Sequence, residues 1–382
     1  MRRKISVTTG SRAEYGILKP VLKAIDKSKK LELYLIVTGM HLSQIYGLTI
    51  DEIKKDGFKI YSIIEMMPRD DSTYSMSTAL GRGIIEFSKV FRKLKPDINL
   101  ILGDRDEMLA STIAAYHMNI QKGHIHGGDR SQGGIDEYNR HAITKMSNIH
   151  FAATKKSFQR IIKMGENPKN VFLTGSPSID TIMDEEITSK QSLIKKYPFA
   201  FNGNEILLLQ HPVTTQTELS ELQIRTTLEA IVKTKRPTIA IAPNSDAGNR
   251  TIFQNLRLYS QKYEFISVYP SVPRNDYLGI IKHCGIIVGN SSSGVIEASY
   301  FNTPVVNIGI RQKGREKGKN VIDVPDLDMD SIYCAISSAL RIRKRKFINS
   351  YIYGRGKASK KIVRYLEKIN LNKDLIQKQI FY

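Results

Sequence analysis

Cysteine is nearly missing from this chain of 382 residues: Cys284 and Cys334 are the only two. They can build neither a disulfide framework nor a thiolate metal site, which suits a reducing compartment, and a cytoplasmic location is expected. No apolar run approaches the roughly 18 residues a membrane span needs, so no membrane association is expected. The stretch Met1–Gly10 is basic, but its apolar part is too short for a signal peptide and reads better as a first strand. Low-complexity segments and short-period repeats are missing too. So is a Gly-x-Ser-x-Gly elbow, which disfavours a serine hydrolase, and so are a Walker A loop and a dinucleotide fingerprint. Acids are scarce relative to bases, 37 against 58, giving a net charge of +21. Nucleic acid is the first partner such an excess brings to mind. The basic residues are nevertheless spread along the chain, without a recognised motif or interleaved aromatics. Their densest run, Arg341–Lys346, reads as a solvated helix end. No nucleic-acid partner is expected; attraction of an anionic nucleotide is a sufficient use for part of the charge.

What the chain does have is short apolar runs alternating with helix-period segments. Strands are expected at Ile5–Thr8, Leu33–Val37, Ile98–Leu102, Gly123–His126, Phe151–Thr154 and Val171–Thr174, then at Ile206–Gln210, Thr238–Ala242, Phe265–Val268, Ile286–Val288 and Val305–Ile308. Many end in Gly, Asn, Asp or Pro and run into a helix, the signature of parallel βαβ units. The fold class is α/β in two Rossmann-like halves, residues 1–178 and 179–356. A final helical stretch, 357–382, is expected to pack back across them. Ligands of open α/β sheets sit beyond the carboxyl ends of the strands, so the default site is the cleft between the halves.

The most informative segment is Gly289–Glu297. An apolar strand, Ile286–Val288, leads through Gly289, Asn290, Ser291, Ser292, Ser293 and Gly294 into a helix. Small polar residues there leave backbone N–H groups exposed, and the helix N-terminus favours an anion such as a diphosphate. Glu297, one turn on, could accept from the hydroxyls of a ribose. The plainer reading of these serines is as helix N-caps.

Other strand ends carry further candidates. Arg12, in Thr9–Gly16, could clamp phosphate or simply pair Glu14 on the surface. Asp104, with Arg105, Asp106 and Glu107, supplies carboxylates that either cap the next helix or move protons. The segment His124–His141 is richest: strand alternation puts His124 and His126 on one face, four glycines permit close approach, and Asp129, Asp136 and Glu137 follow. Its liganding groups are too scattered for a metal site, and none is expected. His141 reads as structural. In the second half, His211 stands at a strand end before Pro212, Asn244 and Asp246 lie in a polar loop, and Arg311–Glu316 supplies cations.

In this order, Thr9–Gly16, Gly103–Arg105, His124–Asp136, Arg140–Lys145, His211–Val213, Pro243–Gly248, Gly289–Glu297 and Arg311–Glu316 resemble the hydrolysing UDP-N-acetylglucosamine 2-epimerases of sialic-acid and related nonulosonate pathways. The resemblance implies a glycosyltransferase-B-like fold, a nucleotide-sugar as substrate, no cofactor, and a homodimer or homotetramer. It implies loss of the C2 proton with departure of the nucleoside diphosphate, then addition of water to the glycal. UDP-N-acetylglucosamine is the general expectation for the substrate. A UDP- or GDP-linked 2,4-diacetamido-2,4,6-trideoxyglucose, as on a legionaminic-acid route, comes second, and a glycosyltransferase of the same fold third. Carried over by motif, Ser291 and Ser292 bind diphosphate beside Gly294, Glu297 binds ribose, and Arg12 and Arg311 offset phosphate charge. Asn244 and Asp246 line the nucleotide or sugar, His211 faces the diphosphate and sugar, and Asp104 and Asp136 are acid/base carboxylates. Where many members carry a glutamate two residues after the first histidine of the His124 segment, this chain has His126. An imidazole also moves protons near neutrality, and Asp129 could share that role. One additional residue separates Asp129 from Asp136, which leaves Glu137 as a substitute for Asp136.

Overall fold

The computed structural model describes residues 2–70, 72–131, 134–184, 186–342 and 351–382, with Ile342 as backbone only. Beyond Arg341 and Ile342, the basic run reaching Lys346 lies outside the described residues. The chain divides into two compact units. One takes Met1–Asp129, Asp136–Asp184 and Tyr353–Tyr382; the other takes Arg130–Ile135 and Glu185–Ile352.

The first unit is a seven-stranded sheet built from β1 (Arg3–Thr9), β2 (Leu31–Thr38), β3 (Ile60–Ile64), β4 (Ile98–Leu102), β5 (Gln121–Ile125), β6 (Ile149–Ala152) and β7 (Val171–Leu173). The strand order is β3-β2-β1-β4-β5-β6-β7, and every neighbouring pair is parallel. Period-2 alternation sends Ile5, Val7, Leu35, Leu100 and Ile125 to one face, against the helices Arg12–Asp26 and Ala358–Lys368. Helices Thr73–Leu94 and Asp106–His117 contribute Phe87, Phe91, Ala110 and Ala114 to a second core, where they pack with Ile36. Between β1 and β4, Ser6 and Asn99 are buried polar positions. The Ser6 hydroxyl donates to Asn99 Oδ1 at 3.0 Å, and Asn99 Nδ2 donates to Ser111 Oγ at 2.9 Å. Such groups are tolerated inside because they satisfy one another.

The second unit repeats the plan with six parallel strands: β8 (Ile206–Leu209), β9 (Thr238–Ile241), β10 (Ile266–Tyr269), β11 (Ile286–Gly289), β12 (Val305–Ile308) and β13 (Val321–Val324), in the order β10-β9-β8-β11-β12-β13. Its cores lie around Leu208, Val288 and Val306, and around Leu207, Ile239 and Ile287.

Both orders reverse direction once, between β1 and β4 and again between β8 and β11. At such a switch the loops leaving the carboxyl ends diverge to opposite faces and open a crevice. The four loops there begin at Gly10, Gly103, Gln210 and Asn290.

Strands β3 and β13 were not anticipated from the sequence. Both are sheet edges, partly exposed, and neither forms a continuous apolar run: Lys59-Ile60-Tyr61-Ser62-Ile63 alternates, and β13 carries Asp323. The expected terminal helix is two pieces, Ala358–Lys368 and Lys373–Ile376. The carboxylate of Asp180, on the helix Pro177–Asp184, caps the first piece, accepting from the backbone N–H of Ala358 (2.9 Å) and Ser359 (2.7 Å) and from the Ser359 hydroxyl (2.6 Å).

Candidate active site

In the first unit the loop after β4 is pinned from both sides. Gly103, at φ +77°, donates to the Ile125 carbonyl at 3.0 Å, and its own carbonyl accepts from His124 Nε2 at 2.8 Å. That fixes the exit direction of Asp104, whose carboxylate meets Arg140 Nη2. Arg140, on the helix Asp136–Met146, is only 1% exposed. Its Nη1 also reaches Glu137 Oε2 at 2.6 Å and the Asp129 carbonyl at 3.3 Å. Burial opposes the charge of Arg140, but Asp104, Asp129 and Glu137 around it outweigh that and raise its pKa above the ordinary arginine value. A permanent buried cation therefore holds two carboxylates, Asp104 and Glu137, whose side chains stay about a fifth exposed. Carboxylates with an open edge can take a proton and, once protonated, return it. Asp136 opens the same helix and is half-buried.

His126 lies elsewhere than alternation predicted. Strand β5 ends at Ile125, and His126 itself takes a left-handed backbone, φ +65°. The period-2 argument that paired it with His124 therefore stops one residue short. Its Nδ1 is 2.8 Å from Asp129 Oδ2, and its Nε2 is 2.8 Å from the Ser176 hydroxyl. The other Asp129 oxygen accepts from the Ser157 hydroxyl at 2.7 Å. Both ring nitrogens of His126 and both oxygens of Asp129 are thus occupied inside the unit. Their geometry suits holding the Gly127–Asp129 turn under Arg140 better than attacking a C2 proton. His124 is equally enclosed, between Gly103 and Thr144 (3.1 Å), and burial lowers its pKa to about 3.

In the second unit, Asn290 ties the switch point together. Its Oδ1 accepts from the His211 backbone N–H at 2.7 Å and its Nδ2 donates to the His211 carbonyl at 2.9 Å. The Asn290 carbonyl accepts from Gln312 Nε2 (3.0 Å) and Arg311 Nη1 (3.3 Å), bringing a cation to the start of the helix Ser292–Phe301. Ser291 is the N-cap of that helix, its hydroxyl accepting from Ser293 N–H at 3.4 Å. The Asn244 backbone N–H donates to His211 Nδ1 at 3.2 Å, so the neutral ring carries its proton on Nε2. A loop of amides, a helix N-terminus, an arginine and an N–H donor make an anion seat. Gly289, at φ +130°, passes so close to β8 that an added Cβ would lie on the Leu209 carbonyl. Glu297, one turn into the helix, pairs with Arg274.

The sequence matches the family model of UDP-N-acetylglucosamine 2-epimerase over residues 23–367. The chain belongs to this family. A UDP-N,N'-diacetylbacillosamine 2-epimerase (hydrolyzing) of Legionella pneumophila is 39% identical over 99% of both chains. A GDP/UDP-N,N'-diacetylbacillosamine 2-epimerase (hydrolyzing) of Campylobacter jejuni is 34% identical over 88% of both. Among solved structures, UDP-GlcNAc 2-epimerase from Neisseria meningitidis bound to UDP-GlcNAc superposes with a TM-score of 0.79. At 21% identity it covers 96% of this chain and 100% of that one, and the shared glycosyltransferase-B-like fold follows.

The remaining positions fall as follows. Arg12 pairs with Glu52, Nε to Oε2 at 2.8 Å, and not with Glu14. The Asp246 carbonyl closes the turn before the helix Asn249–Lys262, accepting from Asn249 N–H at 3.0 Å. Gly294 is buried against β12, where a Cβ would meet Val305, so its smallness serves helix–sheet packing. His141 Nε2 lies 3.1 Å from Glu137 Oε1, on the same helix. Four residues escaped sequence reasoning as site members. His41 bridges Thr9 and Thr49 (3.1 and 2.7 Å), and burial lowers its pKa to about 3. Glu14 is buried behind Gly10, and burial, reinforced by Glu107, pushes its carboxyl well above the usual range. Asn290 and Arg274 complete the set. A sequence signal was available for Asn290, inside the serine-rich turn, and for Glu14, inside Thr9–Gly16. Among the described residues no cluster of three His, Cys, Asp or Glu could hold a metal ion, and no helix is long and apolar enough to cross a membrane.

Proposed function

We propose that the protein is a hydrolysing 2-epimerase of a UDP- or GDP-linked 2,4-diacetamido-2,4,6-trideoxyglucose, the sugar also called N,N'-diacetylbacillosamine. The observation that carries this reading is the 39% identity, end to end, with the Legionella enzyme. It reverses the order in which the sequence placed the two sugars, moving the diacetamido substrate ahead of UDP-N-acetylglucosamine. The nucleotide's diphosphate sits on the amides of Ser291 and Ser292 with Arg311 beside them, and Glu297 takes the ribose. His211 Nε2–H donates to the bridging or terminal phosphate oxygen as the C1–O bond breaks.

A carboxylate held by Arg140, Asp104 first, removes the C2 proton. The electron pair forms the C1=C2 double bond and expels the nucleoside diphosphate. Water then adds its hydroxyl to C1 and gives its proton to Asp136 or Glu137, and that carboxyl group passes a proton to C2 from the opposite face. The sum is nucleotide-sugar plus water giving nucleoside diphosphate plus the free 2-epimer, and the electron count needs no redox cofactor. The test is incubation with UDP- and GDP-linked diacetamido sugar and with UDP-N-acetylglucosamine in D2O, followed by NMR. Nucleotide release with deuterium at C2 of a free epimeric sugar, fastest for a diacetamido substrate, is expected. Faster turnover of UDP-N-acetylglucosamine would refute the sugar assignment, and release only after an acceptor is added would mean a transferase.

A further inference from the structure

The pairing of Glu297 leaves half of its carboxylate unexplained. Glu297 is 1% exposed; Oε1 contacts Arg274 Nη2, and Oε2 is buried with no hydrogen-bond partner. A buried carboxylate oxygen without a donor is costly, and such an atom calls for a missing partner. It lies one turn from Ser291 and Ser293, at the start of the helix Ser292–Phe301. Arg274 is held in turn by Tyr277, whose ring centre is 5.6 Å from the guanidinium. Burial, and then the Glu297 charge, raise the Tyr277 pKa, so the phenol stays protonated beside the pair. Arg274 and Tyr277 share the helix Arg274–His283, outside the motifs that carried the family resemblance.

We propose that Arg274 is the positioning residue that turns Glu297 into a reader of the ribose diol; this rests on the nucleotide assignment above. The guanidinium does two things. It gives a deeply buried carboxylate an ion-pair partner. It also engages Oε1 alone, so that Oε2 is left as a strong, oriented acceptor for a hydroxyl donor. A bound nucleoside diphosphate supplies that donor from the 2′- or 3′-hydroxyl of its ribose. Arg274 therefore touches no substrate, yet sets the preference for ribose over a sugar lacking the diol. A lysine, with a point charge in place of the planar fork, reproduces the charge and not the geometry.

The experiment is calorimetric titration of the full chain with UDP and with 2′,3′-dideoxy-UDP, for the unaltered protein, R274Q, R274K and E297Q. The unaltered protein is expected to prefer UDP by about 10- to 100-fold, the range for one hydrogen bond to a charged acceptor. In R274Q and E297Q that ratio falls below about threefold, while affinity for the dideoxy nucleotide changes little; R274K keeps part of the ratio. A merely structural Arg274 would weaken both ligands together and keep the ratio, and that result in R274Q overturns the proposal. Should R274Q not fold, a full ratio in E297Q or an unchanged one in R274K overturns it equally. UDP binding without preference in the unaltered protein removes the diol reading and leaves the epimerase standing. No UDP binding at all overturns the nucleotide assignment and this proposal with it.

Discussion

Asp104→Asn separates the two jobs proposed for Asp104, holding Arg140 and moving a proton. The amide is isosteric, and its oxygen can still accept from Arg140 Nη2, which now meets Asp104 Oδ2. An ion-paired hydrogen bond of about 1.5–3 kcal/mol becomes one in which only the arginine is charged, and part of that strength is lost. The fold should lose about 1–1.5 kcal/mol, a shift of about 1–2 °C in Tm for a chain of this size. Glu137 remains on Arg140 at 2.6 Å, so the buried cation is not stranded. The chemistry should suffer far more. Loss of a proton-transfer group costs about 10²–10⁴ in rate, or roughly 3–5 kcal/mol of barrier. Nucleotide release and deuterium incorporation at C2 should fall together by that factor. UDP affinity should move less than about threefold, because its proposed ligands, Ser291, Ser292 and Arg311, belong to the other unit. Turnover within threefold of the unaltered protein, in a variant with a near-normal melt, would show that another group takes the C2 proton.

Three further perturbations probe the frame. His41, His124 and His150 are held neutral by burial, the first two with pKa about 3. The unfolded chain binds their protons near pH 6.5, so stability is complete above that pH and drains as it falls toward 3. His41 and His124 each add about 1.4 kcal/mol per pH unit to the slope, and His150 adds in the same direction. His41→Asn should remove one proton's share from the slope in urea unfolding followed against pH, and an undiminished slope would count against a buried neutral His41. Asp180→Ala should cost about 1–3 kcal/mol and speed amide exchange across 358–368 ahead of the rest of the first unit; uniform exchange would refute the capping role. Gly289→Ala forces a Cβ onto the Leu209 carbonyl, and a loss above about 2 kcal/mol in chemical unfolding is expected. A variant as stable as the parent would mean that β8 and β11 can part there without cost.

Central strands were legible because burial on both faces writes them as unbroken apolar runs: Ile98–Leu102 and Val305–Ile308 fall where the sequence put them. The edges β3 and β13 were not, since neither forms a continuous apolar run, whereas the edges β7 and β10 were. The site divides in the same way. Asp104, His211 and Ser291 stand out in the sequence because they follow strands, and a parallel sheet dictates where such residues go. What the sequence could not express is which side chain faces which. His126 looked like a base until its backbone turned left-handed and both nitrogens found partners. Arg140 looked like one helix residue among several, although it organises two carboxylates. Arg274 and Glu297 are 23 residues apart and meet only through packing.

The first unit's core includes Ile362, Val363, Leu366 and Leu375, residues that follow the whole second sheet in sequence. During synthesis β1 and the helix Arg12–Asp26 are made before that sheet, yet the apolar surface that these later residues cover stays open until residues 358–376 have left the ribosome. The second unit has all of its strands long before that. Order of manufacture and order of completion are therefore reversed: the half that begins first finishes last. A nascent chain stalled near residue 350 should present an uncovered face of the first sheet to chaperones and proteases, while its second sheet already resists them.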